Sequence, residues 1–172
     1  MIIPLPVKKN KYGEKVADIS VDKYYIQIME EVLEAHENAV IANYLFELEG
    51  DAALVDDWEN DEAEELADII TCCVTRIAII RDDYYLADYL VKAVAKTHIE
   101  IFGGNFYVDL SSSVMRAYHI AQSENIGEEA ALIEIIYLCI GRLEYLGYDE
   151  SKRQKLYQAV NEKNKQRGYF ED

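Results

Sequence analysis

No proline follows Pro6 in this chain, and only eight glycines are spread over its 172 residues. Long stretches with neither breaker leave the helix as the element the backbone adopts most readily. The apolar residues of those stretches recur at three- and four-residue steps, the period of a buried helical face and not of a strand. The expected fold class is therefore all-α, a helical bundle. With 51% apolar residues the chain is globular, and its length suits one domain with a sizeable core.

Residues 1–18 read as an irregular N-terminal arm with a Lys-rich patch and a turn at Tyr12-Gly13. Asp18 or Ser20 caps a first helix that runs to about Glu49 and ends at Gly50-Asp51. Its apolar stripe is Tyr25, Met29, Val32, Leu33, His36, Ala39, Val40, Asn43 and Phe46. Residues 51–60 are expected to form an acidic connector holding the single tryptophan, Trp58. A second helix, about 61–80, turns Leu66, Ile69, Ile70, Cys73, Ile77 and Ile80 inward. Further helices are expected at about 84–101, 108–124, 128–146 and 149–166, with stops at Gly103-Gly104, Gly147 and Gly168.

The second half repeats the plan of the first. At an offset of 66 residues, 64–104 aligns with 130–170, with identities at Leu66/Leu132, Ile69/Ile135, Ile70/Ile136, Cys73/Cys139, Arg76/Arg142, Ala93/Ala159 and Val94/Val160. Helical periodicity supplies part of this match, but the cysteine and arginine pairs go beyond it. Residues 19–104 and 105–172 read as two tandem helical units that share one core, the second of them degenerate.

A net charge of −16 argues against DNA or RNA as a polymeric partner, because such a surface repels phosphate backbones. Three cysteines, Cys72, Cys73 and Cys139, lie inside apolar helical patterns and fit core packing in a reducing cytoplasm better than a disulfide framework. MIIPLPVKKN places its charges after a short apolar run, unlike a signal peptide, and no segment has the length of a membrane span.

Four carboxylates stand apart from the general acidity. Glu31 and Glu34 occupy the first helix, and Glu65 and Asp68 the second. Each pair is spaced i, i+3, which puts its members on one side of a helix, one turn apart. Packed side by side, the two helices would bring four acidic groups together, a repulsive cluster unless cations occupy it. Hard oxygen ligands of this kind suit Mg²⁺ or Mn²⁺. With 33 acidic residues in the chain, any single pair is more readily a solvated helix face, and Glu30, Glu37, Glu62 and Glu64 are read that way. The second unit lacks the pattern: Glu65 and Asp68 align with Ala131 and Glu134, and Ser112, Ser113 and Arg116 offer nothing matching Glu31 and Glu34. One site per chain is expected.

The C-terminal segment reads AVNEKNKQRGYF in a chain otherwise short of basic residues. Lys163, Asn164 and Arg167 offer donors for phosphate oxygens, but taken alone the segment reads better as a basic helix end that complements the macrodipole and stops at Gly168. Taken in order, E-E-x-x-E at Glu30 to Glu34, E-x-x-D at Glu65 to Asp68 and K-N-x-x-R-G-Y at Lys163 to Tyr169 resemble the MazG-like, all-α nucleoside triphosphate pyrophosphohydrolases. That superfamily includes the dimeric dUTPases and dCTP pyrophosphatases. The resemblance spans most of the chain and rests on the order of short motifs. It implies Mg²⁺, with Mn²⁺ as a substitute, held by Glu31, Glu34, Glu65 and Asp68 as metal ligands and catalytic groups. It implies phosphate contacts from Lys163, Asn164, Arg167 and Tyr169, and hydrolysis of a nucleoside triphosphate, a dNTP by preference, to monophosphate and pyrophosphate. One of the four carboxylates or Glu30 accepts the proton of the attacking water. A cytoplasmic homodimer acting in nucleotide-pool housecleaning is the corresponding setting. Thirty residues separate Glu34 from Glu65, slightly more than the family pattern, and Trp58 within them is a candidate loop residue over the base.

Two other readings bear on the same residues. A di-iron carboxylate bundle calls for Glu-x-x-His pairs. Leu33, Ala95 and Arg116 stand three before His36, His98 and His119, so that reading fails. A non-catalytic helical dimerisation or binding module that keeps the fold is the rival from another class. Divalent-cation binding separates it from the enzyme.

Overall fold

The computed structural model describes residues 3–48, 52–82, 106–123 and 126–171. Five helices make up the described chain: α1 Val21–Leu48, α2 Ala52–Arg81, α3 Phe106–Gln122, α4 Glu128–Tyr145 and α5 Glu150–Gln166. Among the described residues the only β feature is an isolated antiparallel bridge between Lys9 and Lys15. The fold is all-α, as the breaker-poor sequence requires. The helix expected at 84–101, the stop at Gly103-Gly104 and the turn at Gly50-Asp51 lie outside the described residues.

Local chemistry sets the helix ends. Ser20 starts α1, its Oγ accepting from the Lys23 amide at 3.3 Å. Asp149 caps α5 by accepting from the Lys152 amide at 2.9 Å. Two helices stop at glycines in the left-handed region, Gly147 at φ 80° and Gly168 at φ 71°. In each case the next amide reaches back five residues, Tyr148 to the Leu143 carbonyl and Tyr169 to the Asn164 carbonyl, the bond that closes a helix on a glycine.

The expected connector at 51–60 is instead helical from Ala52 onward. Ala52, Ala53, Leu54 and Glu59 are good helix formers, and no Gly or Pro lies between Ala52 and Asn60, so α2 extends over 30 residues. Trp58 is accordingly a half-buried helical residue and not part of a loop.

α1, α2, α4 and α3 pack in a ring, each against its two neighbours, and α5 lies on the outer side of α2. Pairings such as Tyr24 with Cys72, Glu62 with Arg142 and Asp22 with Tyr118 show that neighbours in the ring run antiparallel. The core is built from Ile28, Val32 and Ala35 of α1, Leu66, Ile69, Ile70, Cys73 and Ile77 of α2, Leu110 and Val114 of α3, and Leu132, Ile135, Ile136 and Cys139 of α4. The inward face of α2 is thus as expected, except that Ile80 is exposed. That of α1 is rotated from its expected stripe. Tyr24, Tyr25, Ile28, Val32, Ala35, Ala39 and Ala42 face in, whereas Leu33, Val40 and Phe46 are 60%, 53% and 69% exposed. The three inner alanines let α1 approach its neighbours closely, and the larger residues face out.

Two reciprocal ion pairs tie α2 to α4. Arg76 of α2 grips Glu128 of α4, and Arg142 of α4 grips Glu62 of α2. In each pair the Nε lies 2.7 Å and the Nη2 3.3 Å from the carboxylate. Each carboxylate also accepts a tyrosine hydroxyl, Tyr25 on Glu128 at 2.9 Å and Tyr107 on Glu62 at 2.6 Å. Glu62 is only 1% exposed, so the reading of it as a solvated helix face is wrong. A buried carboxylate needs this degree of pairing to stay in place.

Candidate functional site

The antiparallel contact of α1 with α2 sets Glu31 across from Glu65 and Asp68. Carboxylate oxygens of these three residues lie within 4.8 Å of one another. Glu31 is buried and the other two are half-buried. Glu34, one turn along α1, stands exposed at the rim and is not part of this trio.

α5 brings the basic motif to the same place. Lys163 Nζ is 3.3 Å from Asp68 and 3.5 Å from Glu64. Lys163, buried Asn164, Arg167 and Tyr169 line one cleft of about 690 Å³ together with Glu31, Glu34, Glu65 and Asp68. The acidic and basic motifs, about 95 residues apart in sequence, therefore meet within a single chain. The Arg167 guanidinium lies 5.9 Å from the centre of the Tyr169 ring. Trp58 does not line this cleft.

Three further contributors carried no motif. Residues 3–18 cross the cleft as a strap. Asn161 accepts from the Leu5 amide at 2.8 Å and donates to the Ile3 carbonyl at 2.9 Å, and the Val7 amide donates to Thr75 Oγ1 at 3.0 Å. The Lys8 and Lys9 amides both donate to the Tyr169 carbonyl, at 2.7 and 3.1 Å. From this strap Lys11 reaches Glu31 at 2.9 Å and Glu34 at 3.3 Å. Gln27, one turn before Glu31, is also in the cleft wall, and its buried Nε2 has no hydrogen-bond partner. Cys72 is half-buried in the wall, in contrast to the fully buried Cys73 and Cys139. Of these, Lys11 showed in the sequence as part of the Lys-rich patch of the arm, and Cys72 only as an expected core residue, whereas it is half-buried at the cleft wall. Gln27 left no trace, because a glutamine inside a helix is too ordinary to notice.

The electrostatics follow from crowding like charges in a half-dry place. Burial, then the charges of Glu31 and Asp68, push the Glu65 carboxyl up to about 8. Burial raises Glu31 as well, against the pull of Lys11. It raises Asp68 against the pull of Lys163. For the two lysines burial acts downward, and the carboxylates beside them outweigh it, so both stay firmly charged. Glu65 thus keeps a proton near neutral pH, and the crowded trio gains from a cation that replaces it. Three hard carboxylate oxygens, with a wider carboxylate at the rim, fit Mg²⁺ or Mn²⁺ by donor chemistry.

The residues that align with this site at the 66-residue sequence offset carry different chemistry. At the 66-residue offset Glu65 and Asp68 become Ala131 and Glu134. Glu134 is ion-paired with Arg116 and accepts from Ser113 Oγ at 3.5 Å. An arginine stands where a carboxylate would be needed, and the described residues hold no second acidic trio.

No family model, no curated protein and no solved structure matches this chain. No helix among the described residues is long and apolar enough to cross a membrane.

Proposed function

We propose that the chain is a Mg²⁺-dependent nucleoside triphosphate pyrophosphohydrolase of the MazG-like kind, cleaving a dNTP by preference to monophosphate and pyrophosphate. The observation that carries this reading is the convergence, in one cleft, of the Glu31–Glu65–Asp68 trio with Lys163, Asn164 and Arg167. A carboxylate cluster beside a cluster of cationic and amide donors suits a ligand that is itself a metal-bound polyanion. The unpartnered amide of Gln27 in the cleft wall is a further sign that a polar ligand completes the site.

In this reading Glu31, Glu65 and Asp68 hold the cation, with Glu34 joining from the rim. Mg²⁺ bound there supplies charge neutralisation of the triphosphate and a water of lowered pKa. A carboxylate of the cluster, or Glu30 next to it, takes the proton from the attacking water. Lys163 and Arg167 balance the charge that develops on the pyrophosphate leaving group. Two tandem units, only the first bearing a site, belong to the same proposal and are supported by the matching Arg76–Glu128 and Arg142–Glu62 pairs. A homodimer is supported by the exposed apolar side chains Val40, Val108 and Met115, which line one groove beside α1 and α3.

One observation favours a second reading, a binding module without catalysis. Lys11 and Lys163 already compensate the carboxylates without any metal. A pyrophosphate-release assay over canonical and damaged NTPs and dNTPs with Mg²⁺ decides between the two. The enzyme releases pyrophosphate from at least one of them and Glu65→Gln abolishes it. No turnover of any nucleotide, with Glu65→Gln indistinguishable from wild type, would sink the enzyme. Release of orthophosphate would keep the metal site and change the reaction class.

A further inference from the structure

Lys11 stands where the N-terminal strap meets the acidic cluster, and a built frame holds it there. Asn10 Oδ1 accepts from the Tyr12 and Glu14 amides at 3.0 and 2.9 Å, and Gly13 at φ 75° closes the turn. The Tyr12 hydroxyl donates to Glu30 at 3.0 Å, which fixes the turn against α1. The strap itself is tied to α2 at Thr75 and to the end of α5 at Tyr169. Lys11 Nζ is delivered to within 2.9 Å of Glu31, 3.3 Å of Glu34 and 3.7 Å of Glu30.

Glu31 is the shared element. It is both the nearest partner of Lys11 and one of the three carboxylates that can hold a cation. An ammonium and a divalent ion cannot both take the same carboxylate oxygens at full strength. The lysine stem is long and flexible and its charge compact, so it can change partners at little cost. Phosphate oxygens in the cleft would offer the displaced ammonium a new partner of the same sign as the old one.

We propose that Lys11 is a positioning residue that neutralises Glu31 and Glu34 before the metal arrives and then passes to the phosphate chain of the bound nucleotide. This rests on the metal-nucleotide reading of the cleft. The strap thereby couples loading of the cation to capture of the polyphosphate, because each ligand frees or occupies the same ammonium.

Two titrations test it, on wild type, Lys11→Met, Lys11→Arg, and Lys9→Met as a control for lost charge elsewhere on the strap. The first uses Mn²⁺ alone, and the second adds inorganic triphosphate to protein saturated with Mn²⁺. Lys11→Met should bind Mn²⁺ about fivefold more tightly, since its competitor is gone, and triphosphate about tenfold more weakly. Lys11→Arg should stay near wild type in both, and Lys9→Met should not show the opposed pair of changes. Misfolding cannot produce tighter Mn²⁺ binding, so a merely structural role is separable. Unchanged or weaker Mn²⁺ binding by Lys11→Met overturns the exchange, as does unchanged triphosphate binding, while the metal site itself stands. Failure of every protein, wild type included, to bind Mn²⁺ overturns the metal reading and this proposal with it.

Discussion

Glu65 condenses the chemistry of the site into one side chain. Its carboxyl is shifted from 4.5 to about 8 by burial and by the neighbouring Glu31 and Asp68 charges. Between those values the folded protein keeps a proton that the unfolded chain releases. The folded state therefore binds more protons, and its stability falls as pH rises from 4.5 through 8. Glu65→Gln mimics the protonated form at all pH values, so the urea midpoint of this variant should lose that part of the decline seen in wild type. A cation must displace the same proton, so Mn²⁺ affinity should rise with pH up to about 8 in wild type and be weak and flatter in Glu65→Gln. Parallel titrations at several pH values check both statements. The identity of Glu65 as a candidate was legible in the sequence, because E-x-x-D on a helix is a visible pattern. Its shifted proton affinity was not, because that arises first from burial and then from Glu31, 34 residues away, and both come only with the α1–α2 contact.

At the scale of elements, the paired arginines hold α2 and α4 together. Glu62→Ala would leave Arg142 half-buried without its carboxylate and Tyr107 without its acceptor, a loss of about 3 to 5 kcal/mol by urea unfolding. Replacing both partners, Glu62→Met with Arg142→Met, should recover most of that loss, because no unpaired charge then remains. If the double variant is no more stable than the single, the packing at this position matters more than the charges. The sequence showed Arg76 and Arg142 as a matched pair at a 66-residue offset without showing why they match. The bundle supplies the cause, since each grips a glutamate on the opposite helix at the same two distances. Helix ends at Gly147 and Gly168 were readable because the left-handed stop is a local requirement. The start of α2 was misread, since an acidic run looks the same in a connector and on an exposed helix face.

For the whole molecule, a groove of about 1160 Å³ lies open beside α1 and α3, with Val40, Val108 and Met115 among its lining residues. Exposed apolar groups clustered on one face are what a second copy would cover. A charge placed there should oppose association, so Val108→Glu is expected to run as a monomer in light scattering at concentrations where wild type runs as a dimer. Equal masses for both proteins would remove this face as the interface. The amino-acid sequence by itself determined that the chain is helical, where most of the described helices stop and which face of α2 turns inward, and it singled out candidate carboxylates and basic residues. Each of these depends on local backbone preference or on spacing along one helix. Only the tertiary structure decided which side of α1 is buried, that Glu62 is a paired core carboxylate, and that Lys11, Glu31, Glu65, Asp68 and Lys163 share one cleft. Those facts depend on how helices are rotated and on where the two ends of the chain are tied, through Lys8 and Lys9 to Tyr169. Side-chain periodicity leaves that choice open when, as in α1, apolar residues occupy both faces.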